Sequence, residues 1–151
     1  NNLYGPGDDY DPDTSHVIPA LLGKAHRANI EKAEALEVWG SGKVKREFMY
    51  VDDLADAVVF LLKNYSDAIP INIGSGQELT VRELAETICR VVDYQGPLNF
   101  DQSKPDGAPR KLLDRTRMEK LGWSANVPLE EGLQKTYNWY LANSTDSGNM
   151  H

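Results

Sequence analysis

Two basic patches in an otherwise acidic chain could bind an anionic ligand that carries a ring. In the first patch, Lys43, Lys45 and Arg46 follow Trp39 after a glycine turn. An arginine can pair with a phosphate through two hydrogen bonds, and an aromatic face can cover a base or a sugar. The second patch surrounds a loop in which Asp106 can accept from a hydroxyl or a ring N–H, and it consists of Lys104, Arg110, Lys111 and Arg115. A solvated turn with ordinary surface charges fits these residues equally well.

One histidine, His16, is placed to transfer protons. It follows a loop rich in Gly, Pro and Asp and lies in the first turn of a predicted helix. The positive end of the helix dipole should keep its imidazole neutral near pH 7, so that it can exchange a proton with a ligand. A plain loop histidine is the simpler alternative. We expect His26, late in the same helix, at the surface, and His151 lies in the tail.

The glycine-rich strings of the chain do not form a dinucleotide-binding motif. Residues 40–42 lie between two predicted strands, and residues 74–76 lack the third glycine and the spacing, so both predict tight turns. There is no P-loop, H-E-x-x-H or G-x-S-x-G string. The single cysteine, Cys89, excludes a disulfide framework and a cysteine metal cluster, and we expect it in the core. We therefore expect no metal site.

Composition narrows the class of partner. The chain has 151 residues and a formal net charge of −7. Without a basic tract, such a chain is a poor ligand for nucleic acid or an anionic membrane, and no apolar run approaches the ~18 residues that span a bilayer. The first residues lack the charged and apolar regions of a signal peptide. A chain with one cysteine is expected in a reducing, cytoplasmic compartment.

Short strands between amphipathic helices must position the candidate residues, a pattern that indicates an α/β or α+β fold. Helices are predicted from a Ser15 N-cap to Asn29, over Asp52–Lys63, from a Thr80/Glu83 capping box onward, and over Thr116–Leu121 and Leu129–Ala142. Strands are predicted over Leu36–Trp39, Glu47–Val51, Pro70–Ile73 and Leu98–Phe100. So few strands suggest that at least one pairs with a strand outside this chain. Residues 144–151 are expected to be a disordered tail.

Several strings resemble a known enzyme family: NLYGP (2–6), SHVIPALL (15–22), VWGSG (38–42), REF (46–48), VDD (51–53), SKPDG (103–107) and PRKLLD (109–114). Over residues 1–143 the chain is similar to the C-terminal half of the GDP-L-fucose synthases. These are epimerase-reductases of the extended short-chain dehydrogenase/reductase superfamily. NLYGP and REFxxVDD recur across nucleotide-sugar epimerases and dehydratases, whereas SHVIPAL and SKPDG are more specific. The resemblance implies an α/β, mostly helical substrate-binding region with short strands that lacks the Rossmann half.

The resemblance also implies roles for individual residues. Asn2 and Leu3, in a cofactor-contacting loop over residues 1–15, match positions that approach the nicotinamide end of NADP. His16 matches a histidine near cofactor and sugar that donates or accepts a proton during epimerisation. The positions that match substrate-binding residues are Lys24, Trp39, Arg46 and Asp106, of which the last three already belong to the two basic patches. The implied substrate is a GDP-sugar.

Departures from the family pattern leave alternatives open. Asn1 stands where Thr is usual, and Lys24 stands where some members have Arg, which keeps the charge but loses the bidentate geometry. The family's Gly-rich loop, Tyr-x-x-x-Lys dyad and catalytic Ser and Cys would all precede Asn1, so we expect the chain alone to be inactive. A homodimer is compatible with the family pattern. A non-catalytic nucleotide-sugar-binding module and another nucleotide-sugar epimerase or dehydratase remain alternatives.

Overall fold

The structure, a computed structural model, describes residues 2–11 and 14–144. These residues form strands and helices in the order β1 (Asn2–Tyr4), α1 (Val17–Glu31), β2 (Leu36–Trp39), β3 (Lys45–Tyr50), α2 (Val51–Asn64), β4 (Glu78–Thr80), α3 (Val81–Val92), β5 (Leu98–Asp101), β6 (Arg110–Lys111), α4 (Thr116–Leu121) and α5 (Leu129–Ser144). The predicted α/β class, mostly helical with short strands, is confirmed. Of the predicted tail, only Ser144 is described, as the last residue of α5. The rest of the tail and Asn1 lie outside the described residues.

Strand β3 organises the larger of two sheets. It pairs in parallel with β1, which places Asn2 opposite Phe48, and antiparallel with β4. The two-residue strand β6 adds a parallel pairing to the start of β3 and sets Lys111 opposite Arg46. The second sheet contains the parallel pair β2 and β5, in which Trp39 lies opposite Asp101. The segment predicted to contact a cofactor thus begins as strand β1. The pairing of β3 with β6 brings the two basic patches towards each other.

The main core lies between helices α1, α3 and α5 and the strands. Helix α3 shows how local pattern builds it, because its apolar residues recur at helical spacing and all face inward. The fully buried side chains of this core include Ile18, Leu22, Val38, Phe48, Leu84, Ile88 and Leu133. Cys89 is buried in the same core, as predicted, and burial raises the pKa of its thiol to about 11. The thiol is therefore a poor nucleophile near neutral pH.

The predicted helix signals are largely confirmed. The Thr80 hydroxyl accepts from the Glu83 backbone N–H, and the Glu83 carboxylate accepts from the Thr80 N–H, which completes the capping box of α3. Gly122 ends α4 in the left-handed conformation at φ 89°. Helix α1 begins one residue later than expected, since His16 and not Ser15 is its N-cap.

The predicted strand over Pro70–Ile73 is wrong. The structure assigns no strand there, and the antiparallel edge of β3 pairs instead with β4, a strand that the sequence pattern did not indicate. Ile71 and Ile73 pack against a second, smaller cluster of buried residues: Met49, Ala57, Met118 and Trp123. Packing of these two side chains therefore explains the alternating apolar pattern of residues 70–73 without strand pairing.

Candidate functional site

Five of the predicted site residues line a single cavity. Asn2, His16, Trp39, Arg46 and Asp106 surround a space of about 250 Å³ whose apolar wall is formed by Val17, Val44, Val81 and Pro105. The five come from β1, the start of α1, the end of β2, β3 and the loop after β5. Residues spread over most of the chain thus converge on one concave surface that carries an imidazole, an indole, a guanidinium and a carboxylate.

A second cavity of about 260 Å³ adjoins the first and holds a further predicted residue, Lys24. Both cavities are lined by Val17, Trp39 and Val81, so the indole belongs to the wall of each. The rest of the second cavity is mostly apolar, with Ala20, Leu21 and Val38 among its lining residues. Six predicted residues therefore border two neighbouring cavities.

Trp39 carries two ammonium groups beside its exposed ring. The Nζ atoms of Lys24 and Lys104 lie 4.6 and 5.1 Å from the ring centroid, within the range of a cation–π interaction. The indole Nε1–H donates to Glu37 at 3.0 Å, and 55% of the residue is exposed. Partial burial lowers the pKa of the Lys24 ammonium below its ordinary value. This combination of aromatic face and positive charge suits a ring attached to an anion.

The Asp106 carboxylate is held in place by Ser41. The Ser41 backbone N–H donates to Oδ1 and the Ser41 hydroxyl donates to Oδ2, both at 2.7 Å. These hydrogen bonds, the hydroxyl's foremost, lower the pKa of the Asp106 carboxyl below its ordinary value. The carboxylate therefore stays charged near neutral pH and can only accept hydrogen bonds from a ligand.

Arg46 does not present a free fork to the cavity. Its Nη1 donates to the carbonyls of Lys45 and Ala108 at 2.8 and 2.7 Å, and its Nη2 donates to the Asp106 carbonyl at 3.1 Å. The sequence pattern predicted a guanidinium that pairs with phosphate. In the structure the group instead supports the loop that carries Asp106, while it still lines the cavity.

His16 and Asn2 also line this cavity. His16 is the N-cap of α1, its backbone is extended at φ −71° and ψ 169°, and its side chain makes no capping hydrogen bond. The imidazole therefore does not cap the start of the helix, and the residue is exposed. Asn2 donates through Nδ2 to the Glu47 carbonyl at 3.0 Å, which anchors its amide at the cavity. The geometry permits proton exchange between His16 and a bound ligand.

Comparison with known proteins identifies the family. A model of the NAD dependent epimerase/dehydratase family matches residues 1–74. GDP-L-fucose synthase 1 of Arabidopsis thaliana is 54% identical over 142 residues, which are 94% of this chain and 44% of the plant protein. GDP-L-fucose synthase of Escherichia coli K12 is 50% identical, over 94% of this chain and 47% of the bacterial protein. The chain belongs to the epimerase/dehydratase family.

A solved structure of the family agrees with the fold. The NADP-bound GDP-L-fucose synthetase from Naegleria fowleri superposes with a TM-score of 0.89 at 30% identity, and the match covers 95% of this chain and 46% of that protein. The predicted resemblance to the GDP-L-fucose synthases is thereby confirmed over nearly the whole chain. The chain spans less than half the length of the Arabidopsis and Escherichia coli synthases.

Two predicted features, Leu3 and the second basic patch, differ in their placement from the predicted residues that line the two cavities. Leu3 lines neither cavity, because successive side chains of β1 point to opposite sides, and 40% of it is exposed. The side chains of the second basic patch make contacts in different places. Arg110 forms an ion pair with Glu78 at 2.6 Å and Arg115 pairs with Glu119 at 3.1 Å, so these two side chains are occupied away from Trp39.

His26 has a different environment from the one predicted. It was expected at the surface, but it is half-buried, its Nδ1 lies 2.9 Å from the Tyr137 hydroxyl, and its ring packs edge-on against Tyr140. Burial, with a smaller effect of Arg27, lowers the pKa of its imidazole. His26 therefore belongs to the packing of α1 on α5 and not to the site.

Sequence reasoning missed one polar contributor to the site, Ser41, which was interpreted only as part of a glycine turn. Lys104 was predicted as a member of the second basic patch, but its contact with Trp39 was not. The sequence signal for Ser41 was its position between two glycines, just after Trp39. Glycines on both sides let the backbone and hydroxyl of the residue between them approach another loop closely. Within the described residues, no group of His, Cys, Asp and Glu is arranged to hold a metal ion. In the same part of the chain, no helix has both the length and the hydrophobicity needed to cross a bilayer.

Proposed function

We propose that this chain is the GDP-sugar-binding portion of an NADP-dependent epimerase-reductase that converts GDP-4-keto-6-deoxy-D-mannose to GDP-L-fucose by 3,5-epimerisation and 4-reduction. The observation that carries the proposal is the single cavity shared by Asn2, His16, Trp39, Arg46 and Asp106. A proton-transferring group and nucleotide-binding groups thus border the same space. The names of the relatives, GDP-L-fucose synthases at 50–54% identity, support the choice of sugar and nucleotide.

The nucleotide is held by the exposed ring and the charges around it. The face of Trp39 covers the guanine or the sugar, and Lys24 and Lys104 move from the ring to the diphosphate, which attracts them more strongly than an aromatic face does. Asp106 accepts from N–H or O–H groups of the ligand. Arg46 keeps the loop of Asp106 closed and adds positive charge to the cavity.

His16 is the acid/base residue that this chain contributes. The hydrogens at C3 and C5 of the 4-keto sugar are acidic because each carbon adjoins the ketone, so a base can remove one and leave an enolate. Return of a proton to the other face inverts the carbon. His16 donates or accepts one of these protons, a contribution of ~10²–10⁴ to the rate. The second acid/base residue comes from outside the chain.

NADPH supplies the hydride for reduction of the C4 ketone when it is bound. Asn2 and His16 provide an amide and an imidazole in the lining of the cavity, and these groups fit the polar nicotinamide end of the cofactor. Leu3 would contact it from the neighbouring position of β1. Because this sequence contains no dinucleotide-binding glycine motif, cofactor binding needs residues beyond those of this chain. We therefore expect the isolated chain to oxidise no NADPH.

The experiment that tests this function joins the chain to the preceding part of the Arabidopsis GDP-L-fucose synthase 1. We expect the fusion to convert GDP-4-keto-6-deoxy-D-mannose to GDP-L-fucose with consumption of NADPH. A folded fusion that binds NADPH but acts only on another nucleotide sugar would overturn the assignment in favour of a different epimerase or dehydratase. NADPH oxidation by the 151-residue chain alone would contradict the proposal that cofactor binding needs residues beyond this chain.

A non-catalytic nucleotide-sugar-binding module is the second candidate, because Trp39, Lys24, Lys104 and Asp106 all belong to this chain. Titration calorimetry with GDP, and with UDP for comparison, separates the two. Micromolar binding of GDP by the isolated chain supports a module, and its absence supports an enzyme whose site needs further residues. We also propose a cytoplasmic location, since a chain with a single cysteine has no internal disulfide. We further propose a homodimer that forms through parts of the enzyme beyond this chain.

A further inference from the structure

Two segments far apart in sequence close on each other beside the cavity. The first is the glycine turn, residues 40–42, and the second is the substrate loop, residues 103–109. Ser41 joins them with two hydrogen bonds of 2.7 Å, one from its backbone N–H and one from its hydroxyl, to the two oxygens of Asp106. The donor and acceptor lie 65 positions apart in the chain. A carboxylate that receives both bonds from one residue has its position and its orientation fixed.

The fit of the two segments is close enough to exclude a side chain. Gly40 has φ +84°, and a Cβ built there would lie 2.4 Å from Asp106 Oδ1. Only glycine adopts this conformation readily and leaves that space to the carboxylate. The Gly40 N–H also donates to the Asp101 carbonyl at 2.9 Å, which ties the turn to the strand that precedes the substrate loop.

Arg46 holds the substrate loop from its other side. Its guanidinium donates to the carbonyls of Asp106 and Ala108, at 3.1 and 2.7 Å. The loop is therefore fastened at its Asp106 side chain by the glycine turn and at its backbone by β3. Every residue of this loop is exposed, so these polar contacts, and not apolar burial, account for its closed position.

The closed loop also determines where Lys104 lies. Trp39 immediately precedes the glycine turn, and Lys104 is carried by the substrate loop with its Nζ 5.1 Å from the Trp39 ring. Contact between the turn and the loop therefore sets the distance between the indole and the second ammonium group. Release of Asp106 from Ser41 would free both the carboxylate and Lys104 from their places at the cavity.

We propose that Ser41 is a positioning residue of the nucleotide site, which acts by fastening the Asp106 carboxylate to the glycine turn. The hydroxyl supplies one of the two bonds, and the backbone N–H supplies the other. Ser41 thereby presents Asp106 and Lys104 to the ligand without contacting it. The choice of GDP as that ligand rests on the proposed function, whereas the closure of the loop does not.

The test uses the fusion with the preceding part of the Arabidopsis enzyme, into which Ser41→Ala, Ser41→Thr, Asp106→Asn and the Ser41→Ala/Asp106→Asn double substitution are introduced. Ser103→Ala is the matched control, because the Ser103 hydroxyl bonds another aspartate, Asp101, at 2.6 Å. Hydrogen exchange of the residue-41 backbone N–H, which donates to Asp106, reports closure without ligand, and titration calorimetry with GDP reports binding. Circular dichroism verifies that each variant is folded.

We expect Ser41→Ala to speed exchange of the residue-41 backbone N–H and to weaken GDP binding, each by about tenfold, the effect of one hydrogen bond to a charged group. Ser41→Thr retains the hydroxyl and should restore both values. The double substitution should be no worse than the more severe single one, because the two changes break the same contact. Ser103→Ala should leave exchange of the Ser41 N–H and GDP affinity near those of the unsubstituted fusion.

Unchanged exchange of the residue-41 N–H in folded Ser41→Ala would overturn the proposal, as would additive effects in the double substitution. Equal effects of Ser103→Ala and Ser41→Ala would also count against it, because they would show a general sensitivity of the loop. If the unsubstituted fusion binds no GDP, the binding part of the proposal fails together with the proposed function. Exchange of the residue-41 N–H then decides separately whether Ser41 fastens Asp106.

Discussion

The guanidinium of Arg46 donates to the backbone carbonyl of Asp106 at 3.1 Å, so the two residues are joined through the main chain and not through their opposite charges. The Asp106 carboxylate points instead to Ser41. Each side chain thus keeps its charge available to the cavity while it stabilises the same loop. Substitution of Arg46 or Asp106 should therefore disturb ligand binding in two ways, by loss of charge and by loosening of the loop.

Trp39 should provide most of the stacking surface for the nucleotide. We expect Trp39→Ala to weaken GDP binding by the fusion with the preceding part of the Arabidopsis enzyme roughly 5- to 160-fold, because one stacked base contributes ~1–3 kcal/mol. Trp39→Phe should retain much of the affinity. Titration calorimetry measures both, and Trp139→Ala, on α5, serves as the control. Equal affinity of the Trp39→Ala and unsubstituted fusions would exclude stacking on this ring.

The partly buried ammonium of Lys24 should make GDP binding sensitive to alkaline pH. Burial lowers its pKa, so on a rise in pH it loses its charge before an ordinary lysine does, although nearby Glu37 opposes the shift. GDP affinity should consequently fall as pH rises towards the ordinary lysine value of 10.5. Lys24→Arg keeps its charge over this range and should flatten the profile. A profile that the arginine leaves unchanged would assign the dependence to another group.

Lys104 should account for part of the salt dependence of binding. Its ammonium lies beside the exposed Trp39 ring, where screening by salt weakens attraction to a diphosphate. Lys104→Met should lower GDP affinity at low ionic strength and reduce the slope of affinity against salt concentration. Lys63→Met, near the end of α2, provides an exposed lysine away from the cavity. Identical slopes for the two variants would remove Lys104 from the site.

His16 should affect proton transfer more than nucleotide binding. In the fusion with the preceding part of the Arabidopsis enzyme, His16→Gln should slow epimerisation by ~10²–10⁴, the usual contribution of a general acid or base. Incorporation of solvent deuterium at C3 and C5 of the sugar, followed by NMR, reports this step directly. GDP affinity should change little, since the proposed nucleotide contacts involve other residues. Undiminished deuterium incorporation would place the acid/base group elsewhere.

The capping box of α3 should stabilise the fold in a pH-dependent way. Thr80→Ala should lower the free energy of unfolding by ~1 kcal/mol at pH 7, as loss of an N-cap usually does. Hydrogen bonds from the Thr80 backbone and hydroxyl lower the pKa of Glu83, so its contribution is present above its ordinary value of 4.5 and is lost as pH falls through the lowered value. Urea unfolding at neutral and acidic pH measures the change.

A second threonine provides the comparison for this prediction. Thr116 is exposed at the start of α4, where Arg115 is the N-cap, so Thr116→Ala should change stability by no more than ~0.5 kcal/mol. The penalty of Thr80→Ala should also shrink on acidification, because protonated Glu83 no longer accepts both hydrogen bonds. A penalty that is constant from neutral to acidic pH would show that Glu83 takes no part in it.

Helices and their ends follow from local sequence in this protein. The spacing of apolar residues and the Thr80/Glu83 pair suffice for α3, because neighbours along a helix meet whatever the rest of the chain does. Gly122 ends α4 for the same local reason. The chemical types of the candidate site and the family resemblance were also readable from short strings, and they predicted five of the residues that line the first cavity.

Strand pairing and the connections of the site depended on contacts between distant segments. The alternating residues 70–73 had the pattern of a strand, yet β4 took the edge of β3, since pairing is a competition that local pattern does not record. Likewise, the sequence predicted that Arg46 pairs with a phosphate and that Ser41 belongs to a tight turn. In the folded chain, the substrate loop approaches both the glycine turn and β3. Arg46 there donates to loop carbonyls and Ser41 donates to the Asp106 carboxylate. Hydrogen bonds between residues 60 or more positions apart form only once the chain has folded.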